Sequence, residues 1–180
     1  MPMTTTHALL PVAATVAVAP RPVPWRLVIL ASIAAAFPDV DGLFKHIWNI
    51  PQDSIYAHRG AAHSLFIALL AGLVAAAAHK RLRVTPIAAA LVVAAAMASH
   101  GLLDMMTNSG QPVAYLWPLS SARFFADWRP IDSSPVHLAH LFSDALIRFQ
   151  SDLRELIIPM FGVAVVIRAI RATWPKTEGA

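Results

Sequence analysis

Long apolar blocks, each closed by a proline or by basic residues, set the pattern of this chain. The first runs from Ala8 to Ala19, is interrupted by Pro11 and ends at Pro20-Arg21-Pro22. The second, Trp25 to Phe37, stops at Pro38, which cannot continue a helical hydrogen-bond ladder. A third covers His63 to Ala78 and gives way to the basic turn His79-Lys80-Arg81-Leu82-Arg83. The fourth opens on Pro86, tolerated in a first helical turn, and reaches Leu103. Residues 107 to 135 then turn to Asn, Ser, Gly, Pro and Trp, an irregular stretch outside hydrocarbon in which Trp117 and Trp128 suit an interface. A more polar helix from Val136 to Glu155 leads into a last apolar block, Leu156 to Ile170.

Blocks this apolar predict helices that sit in a membrane, although each is near the lower edge of the ~17–25 residues that cross a bilayer. Composition agrees: 57% of the 180 residues are hydrophobic and only 13% charged, too apolar for an ordinary soluble domain. The mean hydropathy is +0.59. The expected fold is all-α, a multi-pass transmembrane bundle of about four to five embedded helices. It forms one domain over residues 1–180, with 107–152 as extramembrane loop and amphipathic helix and 156–172 as the last apolar helix. No repeat, coiled-coil heptad or low-complexity tail interrupts it. Ala17-Val18-Ala19 is similar to a signal-peptidase site, but no Lys or Arg precedes it, which argues against removal of residues 1–19 and with them His7.

The formal charge of +4 resides in short clusters rather than in a nucleic-acid-binding stripe, so no nucleic-acid partner is expected. Arg21 with Arg26, then Lys80, Arg81 and Arg83, then Arg168, Arg171 and Lys176, are cytoplasmic if positive charge marks the inside. Following the chain between them puts His7, Asp39, Asp41, His58, His63, His100 and Asp104 at the opposite, extracytoplasmic end of the bundle, in the inner membrane of a bacterium.

Ionisable residues at a membrane edge are costly and functional by default. His100 and Asp104, four apart, share a helix face. Asp39 and Asp41 flank one residue, a spacing that in an extended segment aims both carboxylates the same way. With no cysteine in the chain, imidazole and carboxylate are left as donors, a set suited to Zn, with Mn or Fe also acceptable. The seven residues exceed what one ion needs, so one or two ions are expected. Asp41 is a candidate for catalysis as well as for ligation. Arg59, between His58 and His63, is too cationic to ligate; its fork suits an anionic ester oxygen, with Gly60 permitting a tight turn. The plainer alternatives are that these groups pair only with each other and that Arg59 is a solvated surface charge.

Weaker signals complete the inventory. His137, His140 and Asp144 share a helical face, but a water-facing helix explains them. His46 follows Asp41 closely and is not expected to join the site, and His79 belongs to the basic turn. Ser64 reads as a helix-start residue, since no nucleophile elbow surrounds it.

Thr6-His7, Pro38-Asp39-Val40-Asp41, His58-Arg59-Gly60-Ala61-Ala62-His63-Ser64 and His100-Gly101-Leu102-Leu103-Asp104, followed by Thr107 and Gly110, together resemble a known signature. It is that of the bacterial membrane-bound predicted metal-dependent hydrolases of the LexA-regulated inner-membrane type (YdjM-like). The resemblance covers about residues 6 to 130; Ala62 stands where many relatives carry Thr, which removes a hydroxyl but no ligand. It implies a multi-pass membrane protein with metal-dependent hydrolase activity. It is also distantly similar to zinc phospholipase C and the single-strand-specific zinc nucleases. Glu155 lies outside the signature. The expected function is hydrolysis of an ester or phosphoester, including a lipid one, with membrane lipids as surroundings. The alternatives are a transporter or a structural metal-binding membrane protein; the oligomeric state is left open.

Overall fold

The computed structural model describes residues 2–18, 23–48, 50–132 and 141–173, with the side chains of 43–46 and 141–143 outside that description. His137, His140 and the side chain of His46 therefore lie outside the described residues, and so do Arg21 and Lys176. The chain is all-helical, with no strand among the described residues. Helix α1 (Thr4–Val18) is followed by α2 (Trp25–Ala36), a 3-10 turn (Phe37–Val40) and α3 (Asp41–Trp48). A second 3-10 turn (Ala61–His63) precedes α4 (Leu65–Ala77), α5 (His79–Leu82) and α6 (Pro86–Met105). Finally α7 (Leu141–Asp152) passes through a π-helical stretch (Leu153–Ile157) into α8 (Ile158–Thr173).

Local chemistry explains the boundaries. The Ser64 hydroxyl accepts from the Ile67 N–H at 3.2 Å and starts α4, and Thr85 does the same for Ala88 before Pro86 opens α6. Pro38 does not end helicity after α2; it sits at the start of the 3-10 turn, where no amide donor is needed. The polar and apolar parts of the last segment, expected as two pieces meeting near residue 155, form one continuous helix with the π stretch at their junction.

Small residues make the packing possible. A β-carbon on Gly72 of α4 would come within 2.7 Å of the Ala90 carbonyl of α6, so these two helices approach as closely as backbones allow. Ala68, Ala75, Ala89 and Val93 bury the seam with Leu27 and Met97. Ala31 and Ala35 of α2 meet Ala96 of α6, and Ala13 and Ala17 of α1 meet Ala164 of α8. The larger apolar side chains point outward instead: Val74 is 71% exposed and Leu91 65%. Small residues inside and large apolar ones outside is the arrangement of a bundle solvated by lipid. Among the described residues, two helices are long and apolar enough to cross a bilayer, Pro86–Met105 and the continuous Asp144–Thr173. Thr4–Val18 and Leu65–Ala77 are apolar but shorter.

The basic residues meet at one end. Arg26 donates to the Arg81 carbonyl at 3.1 Å, and Arg168 donates to the Val16 carbonyl at 3.4 Å. At the other end lie the start of α1, the turn after α2, the turn before α4 and the last turn of α6.

Candidate metal centre

At that second end the structure gathers His7, Asp39, Asp41, His58, His63, His100 and Asp104. His7, His63, His100 and Asp104 are at most 2% exposed, and Asp41 is 5% exposed. Each arrives by a different local device. Asp39 and Asp41 are not on an extended segment: Asp39 sits in the 3-10 turn, whose first positions accept Pro38, and Asp41 begins α3. The two carboxylates accordingly part. Asp39 joins His63, His100 and Asp104, whereas Asp41 joins His58 and His63. His63 is common to both groups.

His100 provides the clearest constraint. Its Nδ1–H donates to the Ala35 carbonyl at 2.7 Å, since a carbonyl can only accept. In the neutral ring Nε2 then carries a lone pair, and it faces Asp39 Oδ1 at 3.3 Å and Asp104 Oδ2 at 3.8 Å. His63 Nε2 lies 3.5 Å from Asp104 Oδ2. None of these approaches is a hydrogen bond: both His63 and both His7 nitrogens, His100 Nε2, Asp39 Oδ1, Asp41 Oδ2 and both Asp104 oxygens are buried without one. Lone pairs turned on each other in a buried space are repulsive unless a proton or a metal cation lies between them.

Charge points the same way. Asp104 faces the buried guanidinium of Arg59, whereas Asp39 and Asp41 have imidazoles beside them; with those rings neutral, a divalent cation would balance the two remaining carboxylates. The residues therefore fit a divalent ion, with Asp39, His63, His100 and Asp104 as its donors. His7 stands beside this set. Its ring stacks on His100 with centroids 3.7 Å apart and planes at 19°, so the two rings cannot both aim in-plane lone pairs at one ion.

Asp41 and His58 form an outer layer. His58 Nδ1–H donates to Asp41 Oδ1 at 2.6 Å, and His63 Nδ1 lies 3.1 Å from Asp41 Oδ2. A carboxylate behind a ligating imidazole fixes its tautomer and raises its basicity. Burial pushes the Asp41 carboxyl up, but the hydrogen bond from His58 and the neighbouring imidazoles outweigh it and hold the group below the usual range. Burial pushes the His63 ring below an ordinary histidine, which keeps it neutral at pH 7 and able to offer a lone pair.

Arg59 is neither a surface charge nor free for an incoming anion. It is 1% exposed and its fork is filled by the protein: Nε forms an ion pair with Asp104 Oδ2 at 3.1 Å, Nη1 donates to the Gln111 carbonyl at 2.6 Å and Nη2 to Thr107 Oγ1 at 3.1 Å. The tight turn is also distributed differently from expectation. Arg59 itself takes the left-handed conformation (φ 62°), while Gly60 has negative φ and is needed because a β-carbon there would run into the Ile55 and Ala57 carbonyls. Gly110 (φ 93°) lies flat against the guanidinium, where a β-carbon would come within 3.0 Å of Nη1. Gly101 admits the His63 carbonyl and the Tyr115 ring beside His100.

Sequence reasoning missed Asp152. It is 3% exposed and its Oδ2 accepts from the Met3 N–H at 2.6 Å and the Thr6 hydroxyl at 2.5 Å, anchoring the start of α1 and so His7. Thr4 likewise donates to Asp39 Oδ2 at 2.6 Å. An acidic residue on the inner face of a long apolar helix was the available signal for Asp152. Glu155, one turn on, is exposed and accepts from Ser151 instead.

An all-helical chain with bilayer-length apolar helices and a buried His/Asp cluster at one end defines a class of membrane protein with a possible metal site. The chain belongs to the YdjM inner membrane protein family, whose model matches residues 1–175. It is similar to the inner membrane protein YbcI of Escherichia coli (strain K12), 35% identical over 141 residues that cover 77% of this chain and 80% of the relative. No solved structure matches the chain significantly.

Proposed function

We propose that this protein is a multi-pass inner-membrane hydrolase in which Asp39, His63, His100 and Asp104 hold a divalent ion, Zn, Mn or Fe. The observation that carries the reading is the set of buried imidazole and carboxylate atoms without hydrogen bonds, four of which can converge on one ion. When bound, such an ion polarises an ester or phosphoryl oxygen and activates water for hydrolysis. The chain's own residues do the rest. Ala35 holds the His100 tautomer, Asp41 orients His63, and Arg59 positions Asp104 while tying it to the loop at Thr107 and Gln111. Arg59 is assigned here to positioning rather than to the substrate, because its donors are occupied.

Four protein donors also fill a tetrahedral shell, which favours a second reading in which the ion is structural. A larger coordination number leaves room for substrate. Purified protein decides between them through its metal content and its hydrolysis of generic phosphodiester, phosphomonoester and carboxyl-ester substrates. Stoichiometric metal with turnover of one class supports the hydrolase; metal without any turnover leaves the structural role; absence of metal after reconstitution overturns both. The side of the membrane follows from charge: the turn at Lys80 to Arg83 is assigned to the cytoplasm and the metal centre to the extracytoplasmic face. Because the chain has no cysteine, single cysteines introduced beside Lys80 and beside Trp128 report this cleanly by labelling. Labelling of the Lys80 position from outside the cell would reverse the assignment.

A further inference from the structure

Between α1, α2 and α6 lies a cavity of about 540 Å³. It lies directly beneath the metal centre. On α1 its uppermost lining residues are Leu10 and Pro11, one turn beyond His7; on α2 it reaches Ala31, one turn before Ala35; on α6 it reaches Ala96 and Ser99, beside His100. All three helices thus carry the same stripe from the cavity into the site. From Leu10 to Val18 the cavity extends along α1 for about 12 Å.

The lining offers nothing to a polar ligand. Its two hydroxyls are already committed to their own helices, Thr15 donating to the Pro11 carbonyl at 2.8 Å and Ser99 to the Ala96 carbonyl at 2.7 Å. Every other lining side chain is Ala, Val, Leu or Pro. One flank is open, with Val18 53% and Val92 39% exposed on the face where large apolar side chains meet lipid. A slot that is apolar along its length, open sideways to hydrocarbon, and ended one helical turn from a candidate metal centre matches a single-chain amphiphile.

We infer that the cavity binds the acyl chain of the substrate, so that the substrate is a lipid ester or phosphoester whose polar group reaches the His/Asp cluster. The headgroup half of this inference rests on the hydrolase reading; the chain-binding half stands on the cavity alone. The test uses full-length protein in detergent, with dodecyl phosphate and butyl phosphate as probes and native mass spectrometry to count what stays bound. One dodecyl phosphate per chain is expected, with butyl phosphate at least roughly 10-fold weaker. Ala14→Phe with Ala95→Phe, both at exposed lining positions, fills the slot and should weaken dodecyl phosphate by a similar factor while metal content stays at the parent level.

A dodecyl phosphate bearing a diazirine at the chain end provides a measurement that needs no variant: it should label residues at the far end of the slot, around Val18, Val23 and Val28. Equal binding of the two phosphates, or labelling mainly on other helices, overturns the inference. His100→Ala separates the two readings. If that variant loses metal and ester turnover yet retains dodecyl phosphate, both are supported; if the parent retains dodecyl phosphate but binds no metal after reconstitution, the slot stands although the hydrolase reading falls.

Discussion

His79 and His100 are both ring donors to a backbone carbonyl, and they sit at opposite ends of the bundle. His79 Nδ1–H reaches the Val84 carbonyl at 3.2 Å within its own turn, and its surroundings are basic residues that water can reach. His100 makes the same kind of bond to Ala35 across a helix interface, and its other nitrogen is sealed among carboxylates. One end of the molecule hands its polar groups to backbone carbonyls and to water. The other leaves nine buried side-chain atoms without a hydrogen bond, which is a large cost unless something else meets them. The comparison shows why one histidine reads as part of a turn and the other as a ligand, although the residue type and helical setting are alike.

The sharpest break of this contrast is Asp104→Ala. It removes a proposed donor and also strands the buried Arg59 guanidinium, so a loss of about 3–5 kcal/mol is expected together with loss of bound metal. Thermal unfolding and metal analysis measure the two effects. Asp104→Asn, which keeps the shape, separates them: metal should still be lost while more of the fold survives. A variant that kept full metal content would remove Asp104 from the donor set.

Asp41→Asn is expected to act at one remove. It leaves the four donors in place but weakens the carboxylate behind His63, and changes of that kind typically cost 10–100-fold in metal affinity. Competition against a calibrated chelator reads this directly. A loss much greater than that range would promote Asp41 from orienting His63 to ligating an ion of its own with His58, and a second ion would then have to be counted. Smallest of all should be His79→Ala. Metal binding should be unchanged and stability within about 0.5 kcal/mol, because the lost hydrogen bond lies at a solvent-accessible turn. A metal defect in that variant would undo the distinction between the two ends.

Much of the arrangement was legible beforehand, and for a physical reason. Blocks of Ala, Leu and Val bounded by Pro38, Pro86 and the basic turn can only be buried helices, so their ends, and the residues on those ends, follow from counting. Following the chain between its basic clusters then places His7, Asp39, Asp41, His58, His63, His100 and Asp104 at one end. The errors came where a short segment's backbone depends on its neighbours. The spacing of Asp39 and Asp41 would align their carboxylates in an extended segment, but the segment is a 3-10 turn running into a helix, which sends the two to different partners. Arg59 looked available because sequence spacing does not reveal that residues 107 to 111 fold over it.

By itself the sequence determined an all-helical membrane protein with imidazoles and carboxylates concentrated at one set of helix ends, since hydrophobicity and residue type are local properties. Only the tertiary structure decided which lone pairs face each other, that Arg59 is spent on Asp104 and the loop, and that Asp152 anchors α1. These depend on directions and distances between residues up to 149 positions apart in the chain, and only packing the helices together brings such residues within hydrogen-bond reach.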